Sequence, residues 1–298
     1  MNLDREQLAT LRAVVDAGTF DAAAGALNIT PSAVSQRIKA LEQQLGRVLV
    51  ERSKPVRATE SGEVLLRLAR EVALLEADAA SALRLDGAEA GWTTVPLAVN
   101  ADSLTSWFLP ALAPVCAAHR IVLDLHREDQ DRTAELLVSG RVMAAVTSQR
   151  EPVPGCTSTP LGVLVYRPAA SREFAARWFP GGADAASLAR APLVDFDHDD
   201  ELQSRYLRRA SRRALDPPRH YVSGSGDFLQ AIALGLGWGM LLDSQLADAA
   251  PGAFVELDPA GPGVAVPLFW QQWKLHSPTL DAVAEAVIAS ARASLRPR

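Results

Sequence analysis

The segment Phe20–Leu45, FDAAAGALNITPSAVSQRIKALEQQL, constrains the fold more than any other stretch of the chain. It reads as a short helix, a sharp turn and a second helix. Asp21 to Leu27 is Ala-rich, and Thr19 stands where an N-cap belongs. Asn28 and Ile29 break that helix. Thr30 is the next N-cap, and Pro31 follows at the first helical position, where its missing N–H costs nothing. Val34, Ile38, Leu41 and Leu45 then fall at spacings of four, three and four, which makes one buried face. Ser32, Ser35, Gln36 and Lys39 occupy the opposite face, each able to hydrogen-bond or to attract phosphate. A short helix, a tight turn and a second helix with a polar, basic outer face is the arrangement that sets a helix into the major groove of DNA.

Helix pairs of this kind also occur in bundles that never touch nucleic acid, so charge has to weigh in. Between Thr30 and Arg57 there are six basic residues (Arg37, Lys39, Arg47, Arg52, Lys54, Arg57) and two acidic ones (Glu42, Glu51), a local net of +4 in a chain of formal net charge −5. Residues 1–62 hold 8 Lys+Arg and 7 Asp+Glu, whereas the remaining 236 hold 22 and 28. Attraction for phosphate is therefore concentrated at the front of the chain, and the acidic remainder should avoid DNA.

The flanks extend this reading. Asp4 to Ala17 is a helix, with Asp4 and Gln7 at capping-box spacing, Leu8, Leu11, Val14 and Val15 facing inward, and Gly18 at its end. It completes a three-helix core. Gly46 closes the second helix of the pair. Val48 to Val50 predicts a short strand, and Glu51 to Ala58 turns back through Pro55 as a winged hairpin whose Arg52, Lys54 and Arg57 reach backbone phosphates. Thr59 caps a long helix running to about Leu85, roughly 40 Å at the α-helical rise. Along it Leu65, Leu68, Val72, Leu75, Ala79 and Ala82 repeat at three-four spacing, a seam that predicts pairing with a second copy. Two copies give the two recognition helices that a two-fold DNA site requires.

Beyond a hinge near Asp86–Thr94 the pattern changes to strand–helix alternation, which predicts a parallel sheet with crossover helices. Strands are expected at 95–100, 121–125, 142–147 and 163–167, then at 193–196, 220–222, 238–242 and 266–270. Helices are expected at 103–118, 131–139, 202–213, 227–234 and 279–295. A chain of 298 residues suits two or three domains, and an apolar content of 48% is ample for their cores. No run of 18 apolar residues occurs and the first residues lack a signal core, which predicts a cytoplasmic protein with no membrane partner. The 2 cysteines, Cys116 and Cys156, have no metal-ligand spacing and read as reduced thiols. The five histidines show no metal spacing, and no cofactor motif is found; Gly235–Gly239 reads as a tight turn into a strand rather than a phosphate loop.

Ligands on such sheets lie at the C-terminal strand ends. Those ends supply Asn100, Ala101, Asp102 and Ser103, then Glu128 and Asp129, then Thr147, and in the second half Phe196 and Asp197. Ser103 at a helix start suits a carboxylate, whereas Asp102, Glu128, Asp129 and Asp197 suit a cation, so a zwitterion with an extra positive charge satisfies both. Equally, strand-end acids serve as helix caps and solvated loops. Trp238, Trp270 and Trp273 either wall a ligand site or pack a core.

The run Thr30 to Gly62, with its turn, helix, LGRVLVER and Thr-Glu-Ser-Gly step into the long helix, resembles the LysR-type transcriptional regulators. The resemblance implies an α/β protein. Its parts are an N-terminal winged helix-turn-helix (1–58), a linker and dimerisation helix (59–86), a hinge (87–91) and a two-lobed effector domain like a periplasmic binding protein. Lobe I would comprise 92–166 and 266–298, and lobe II 167–265, with the effector in the cleft. DNA contacts would come from Thr30, Ser32, Ala33, Ser35, Gln36, Lys39, Arg52 and Arg57. Further matches at Leu97–Leu104, Leu109–Val115, Glu128-Asp129, Ala144–Thr147 and Phe269-Trp270 resemble the ArgP/LysG branch of that family. That branch implies lysine or arginine as effector, Trp270 among its contacts, control of a basic amino-acid exporter gene, and promoter DNA, RNA polymerase and self (dimer or dimer of dimers) as partners. One departure is Ser225-Gly226-Asp227-Phe228, where the acid stands one position from its place in the branch. Two alternatives remain at this point. One is an architectural or replication-inhibiting DNA binder; the other, less favoured because no nucleophile, metal or cofactor motif supports it, is an enzyme on an amino-acid-binding fold.

Overall fold

The N-terminal helices form where their caps place them. In the computed structural model, which describes residues 3–83, 92–127 and 133–297, α1 (Arg5–Ala17) begins under Asp4. The Asp4 carboxylate accepts from the backbone N–H groups of Glu6 and Gln7 at 2.7 and 3.1 Å, and Gly18 ends the helix in the left-handed region at φ 67°. α2 (Phe20–Leu27) begins under Thr19, whose Oγ1 accepts from Ala22 N–H at 3.1 Å, and ends at Asn28. α3 (Pro31–Leu45) begins under Thr30, which accepts from Ala33 N–H at 3.2 Å. Leu11, Val14, Val34, Ile38 and Leu41 are fully buried in one core, with Leu45 and Val15 packed around its rim.

The wing is shorter than the sequence suggests. β1 (Val50–Glu51) pairs antiparallel with β2 (Arg57–Ala58). Val48, expected to start the strand, is 65% exposed, and its carbonyl is taken by the Thr59 hydroxyl at 2.7 Å rather than by a strand. The same Thr59 oxygen accepts from Gly62 N–H at 3.1 Å and so caps α4 (Glu60–Ala82). A Cβ at Gly62 would lie 1.9 Å from the Leu49 carbonyl oxygen, so only glycine lets this first turn close on the wing.

α4 corrects the expected seam. Leu65 is buried and Leu68 half-buried, and both pack on the three-helix core of their own chain, because α4 lies against α1. Leu75, Ala79 and Ala82 are exposed as expected. Leu66, Ala69, Arg70 and Leu74 are buried on a face outside the seam. The expected hinge at 87–91 lies outside the described residues.

The remaining chain alternates strands and helices in the expected order. First come β3 (Thr93–Val99), α5 (Ala101–Ser103), a π-helical turn over Leu104–Phe108, α6 (Leu109–His119), β4 (Ile121–Arg127), α7 (Thr133–Val138) and β5 (Ala144–Thr147). Then follow β6 (Cys156–Ser171), α8 (Arg172–Trp178), α9 (Ala185–Leu188), β7 (Leu193–Asp195), α10 (Leu202–Ala210), β8 (Arg219–Tyr221) and α11 (Ser225–Ala233). Last are β9 (Gly239–Leu242), α12 (Asp243–Asp248), β10 (Phe254–Glu256), β11 (Val264–Trp273) and α13 (Pro278–Ser294). Three differences have local causes. The single helix expected at 103–118 carries the π turn, where Pro110 cannot donate to the Ser106 carbonyl and the Thr105 and Ser106 hydroxyls bond back to Ala101 and Asp102. β6 runs far beyond the expected 163–167 in both directions, and at its end Pro168, which has no N–H to give, still accepts Leu257 N–H on its carbonyl at 2.8 Å. The short α8, α9, α12 and β10 lacked a periodic signal.

The chain divides into two compact units, Met1–Asn100 with Trp107–Pro160 and Phe269–Ser290, and Ala101–Ser106 with Leu161–Leu268 and Ala291–Arg298. In the first, β3 pairs in parallel with β4 and β5, and β11 closes antiparallel on β5. In the second, β6 pairs antiparallel with β9 and β10, while β7 and β8 form a parallel pair. No helix among the described residues is long and apolar enough to cross a membrane.

Candidate functional site

On α3 the outward face is open. Ser32, Gln36 and Lys39 are exposed, Ala33 and Ser35 half-buried. Thr30 is exposed but its oxygen already caps the helix, so it positions the face as much as it extends it. The basic patch is smaller than the bare count. Arg37 is tied to Glu6 on α1 at 2.5 Å, which leaves Lys39, Arg47, Arg52, Lys54 and Arg57 exposed. Glu42 is held in place, since its carboxylate accepts Leu49 N–H at 2.9 Å at the start of the wing. The Arg52 guanidinium lies 5.4 Å from the centroid of the Phe20 ring, which steadies the wing against α2. Val56 N–H donates to the Gly18 carbonyl at 2.8 Å and ties the same hairpin to the end of α1. A rigid polar helix face beside a basic wing can dock in a groove and hold the flanking phosphates.

The strand-end residues fall into two sets. In the first unit, the register Leu97↔Ala144 and Ala98↔Ala145 brings the ends of β3 and β5 level, so Asn100 and Thr147 neighbour each other, both buried. Gln149 N–H donates to Thr147 Oγ1 at 3.1 Å. Trp270 sits opposite Val146 but packs inward: it is 1% exposed, its ring lies 6.5 Å from Phe108, and its N–H donates to Gln272 at 2.6 Å. Trp238 and Trp273 are also fully buried, so all three indoles serve cores. Glu128 and Asp129 lie outside the described residues.

In the second unit, Ala101, Asp102 and Ser103 form one helical turn. The buried Tyr166 hydroxyl donates to Asp102 Oδ2 at 2.7 Å and fixes that carboxylate. Ser103 is fully buried, and its hydroxyl has no partner among the described residues. Phe196 stacks toward Phe228 at 6.5 Å in the core beside β7. Asp197 accepts Asp199 N–H at 2.8 Å, so part of its function is a local turn. Asp227, the displaced acid, is exposed in the first turn of α11.

Sequence reasoning missed two side chains here. Tyr166 is one; nothing in its β6 surroundings distinguishes it from a core tyrosine. Asp195 is the other, buried at the end of β7 and bonded to Arg219 at 2.6 Å. Burial pushes the Asp195 carboxyl up, against the pull of Arg219. The apolar residues before Asp195 gave the only hint of its burial. Cys116 and Cys156 are both free thiols. Among the described residues no group of three or more His, Cys, Asp or Glu could hold a metal ion.

Comparison with known proteins matches residues 5–63 to the bacterial regulatory helix-turn-helix domain of the lysR family, and residues 93–292 to the LysR substrate binding domain. The chain is 43% identical over 295 residues to the lysine export transcriptional regulatory protein LysG of Corynebacterium efficiens, covering 97% of this chain and 98% of that one. Its fold matches the crystal structure of ArgP from Mycobacterium tuberculosis with a TM-score of 0.83, at 46% identity over 100% of both chains. Full-length LysG from Corynebacterium glutamicum with bound effector Arg matches with a TM-score of 0.75, at 36% identity over 99% of this chain and 100% of that one. These relatives are transcriptional regulators, not enzymes. The winged helix-turn-helix at the front and the strand–helix domain behind it are thus the two halves of one known design, and the chain belongs to the LysR family of bacterial DNA-binding transcriptional regulators.

Proposed function

We propose that this regulator senses a basic amino acid, arginine or lysine, and with it controls the gene of a basic amino-acid exporter. The observation that carries the reading is the pair Asp102 and Ser103. Asp102 offers a cationic group a carboxylate held in place by buried Tyr166, and Ser103 offers a carboxylate a buried hydroxyl that no described residue occupies. The other residues read from the sequence as strand ends, Asn100, Ala101, Thr147, Phe196, Asp197, Glu128 and Asp129, belong to the same proposed set of contacts. Trp270 acts from the core, by shaping the sheet. The bound arginine of the Corynebacterium glutamicum relative, and the lysine export named for the Corynebacterium efficiens one, support the choice of ligand and of target.

In this reading residues 1–58 read DNA, 59–86 pair two copies, and 92–298 hold the two effector lobes. Ser32, Ala33, Ser35, Gln36 and Lys39 enter the major groove with Thr30 at its edge, while Arg52 and Arg57 hold phosphates. The exposed half of the seam, Leu75, Ala79 and Ala82, joins two copies, as a dimer or a dimer of dimers, and the assembly acts on RNA polymerase at promoter DNA. The amino acid acts by binding one of two arrangements of the assembly more tightly, since a ligand shifts an equilibrium only through such a difference. Calorimetric titration of the full chain with the twenty amino acids tests the reading. Arginine and lysine are expected to bind, and Asp102→Asn to weaken them about tenfold, the loss of one charge-assisted hydrogen bond. Unchanged binding by that variant would remove Asp102 from the site.

A further inference from the structure

Arg70 projects from the middle of α4, and the residue is only 5% exposed. A buried guanidinium needs partners on every side. It donates to two at once, the carboxylate of Asp16 in the last turn of α1 and the carbonyl of Gly140 in the loop before β5. Asp16 belongs to the helix that backs the recognition helix. Gly140 belongs to the substrate-binding domain. Burial pulls the Arg70 pKa down and Asp16 pulls against it; a guanidinium keeps its proton in a protein.

The helix around Arg70 is pressed onto that same domain. Arg67 donates to the carbonyls of Pro154 and Gly155 at 3.4 and 3.0 Å, and its guanidinium lies 4.9 Å from the centroid of the Trp273 ring. Asp78 accepts from the hydroxyls of Ser277 and Thr279 at 2.6 and 2.5 Å, at the start of α13. Gly140 adopts φ 68°, and a Cβ there would come within 3.1 Å of the Arg67 backbone nitrogen. All these groups lie in one compact unit. Arg67 and Asp78 fasten α4 to the substrate-binding domain alone. Arg70 holds that domain and the DNA-reading helices with a single planar fork, and sliding either part would leave its charge buried and half-bonded.

We propose that Arg70 is the residue through which the winged helix and the β3–β5 layer of the substrate-binding domain are coupled, so that DNA contact and that layer respond to each other. The coupling requires DNA binding but not any particular effector, and its test uses DNA as the only ligand. Linkage is reciprocal, so a duplex gripped by α3 must be felt at Gly140.

The experiment uses the full chain and a duplex selected from a random pool by the wild-type protein. Hydrogen exchange is followed across residues 133–147 with and without the duplex. In the wild type, duplex binding is expected to slow exchange there about fivefold or more, the lower end of ordinary coupling factors. In Arg70→Met the duplex still binds, but the slowing falls below about twofold. Arg70→Lys keeps the charge without the fork and is expected to behave like Arg70→Met, which separates geometry from charge. A wild type that shows no slowing, or an Arg70→Met that transmits it in full, overturns the proposal. Should Arg70→Met not fold, Asp16→Ala removes the other end of the fork and must lose the same response; its retention overturns the proposal equally. A chain that fails to bind arginine would sink the effector reading and leave this result standing.

Discussion

The DNA-reading front of the chain and the LysR substrate-binding domain behind it place their polar side chains in opposite ways. In the front, each placement is local. Thr30 caps the helix that presents Gln36, Glu42 anchors the wing at Leu49, and Gly62 sits against Leu49. In the remainder, the side chains that fix the strand-end carboxylates come from far along the chain. Tyr166 orients Asp102 from 64 positions away, and Arg219 neutralises Asp195 from 24 positions on. A local module tolerates damage elsewhere, whereas a site assembled from distant strands depends on residues that carry no motif.

Four substitutions test that contrast. The largest effect is expected from Ile38→Ala, which opens a cavity in the fully buried N-terminal core and should cost about 2–5 kcal/mol in urea unfolding. A loss below about 1 kcal/mol would mean that the module leans on more than its own core. Next, Gln36→Ala should lose about 1–3 kcal/mol of discrimination at one base position, read by duplex selection with the variant, while other positions keep their preference. Tyr166→Phe keeps the ring and removes the hydroxyl that holds Asp102. It should weaken arginine binding by about 1 kcal/mol in calorimetry and leave duplex affinity without amino acid unchanged. An unaltered arginine affinity would show that Asp102 needs no distant support. The smallest effect belongs to Arg52→Ala, which should weaken binding evenly across sequences and flatten the salt dependence of log affinity by about 0.9.

The same contrast explains what was legible in the sequence. The three helices, their caps and the outward face of α3 could be read directly, because caps and periodicity act over three or four residues. The order of strands and helices could also be read, as each strand of the parallel layer is a short apolar run between turn residues. The burial of α4 could not. Its seam at Leu65 and Leu68 has the spacing of a coiled coil, but the core of its own domain takes those two residues first, and no pattern along one helix records which neighbour arrives. The proposed effector residues were read from strand ends, which gave Asp102 and Ser103. Tyr166 and Asp195 could not be read that way, because each is distinguished only by a partner brought close by the fold.

One oxygen atom ends the DNA-reading module and begins the long helix. The Thr59 hydroxyl donates to Val48 at the base of the wing and accepts from Gly62 in the first turn of α4. There is no compliant spacer between the two, of the kind that would let a rotating rod slip past its mount. A displacement of that first helical turn must therefore carry the foot of the hairpin with it.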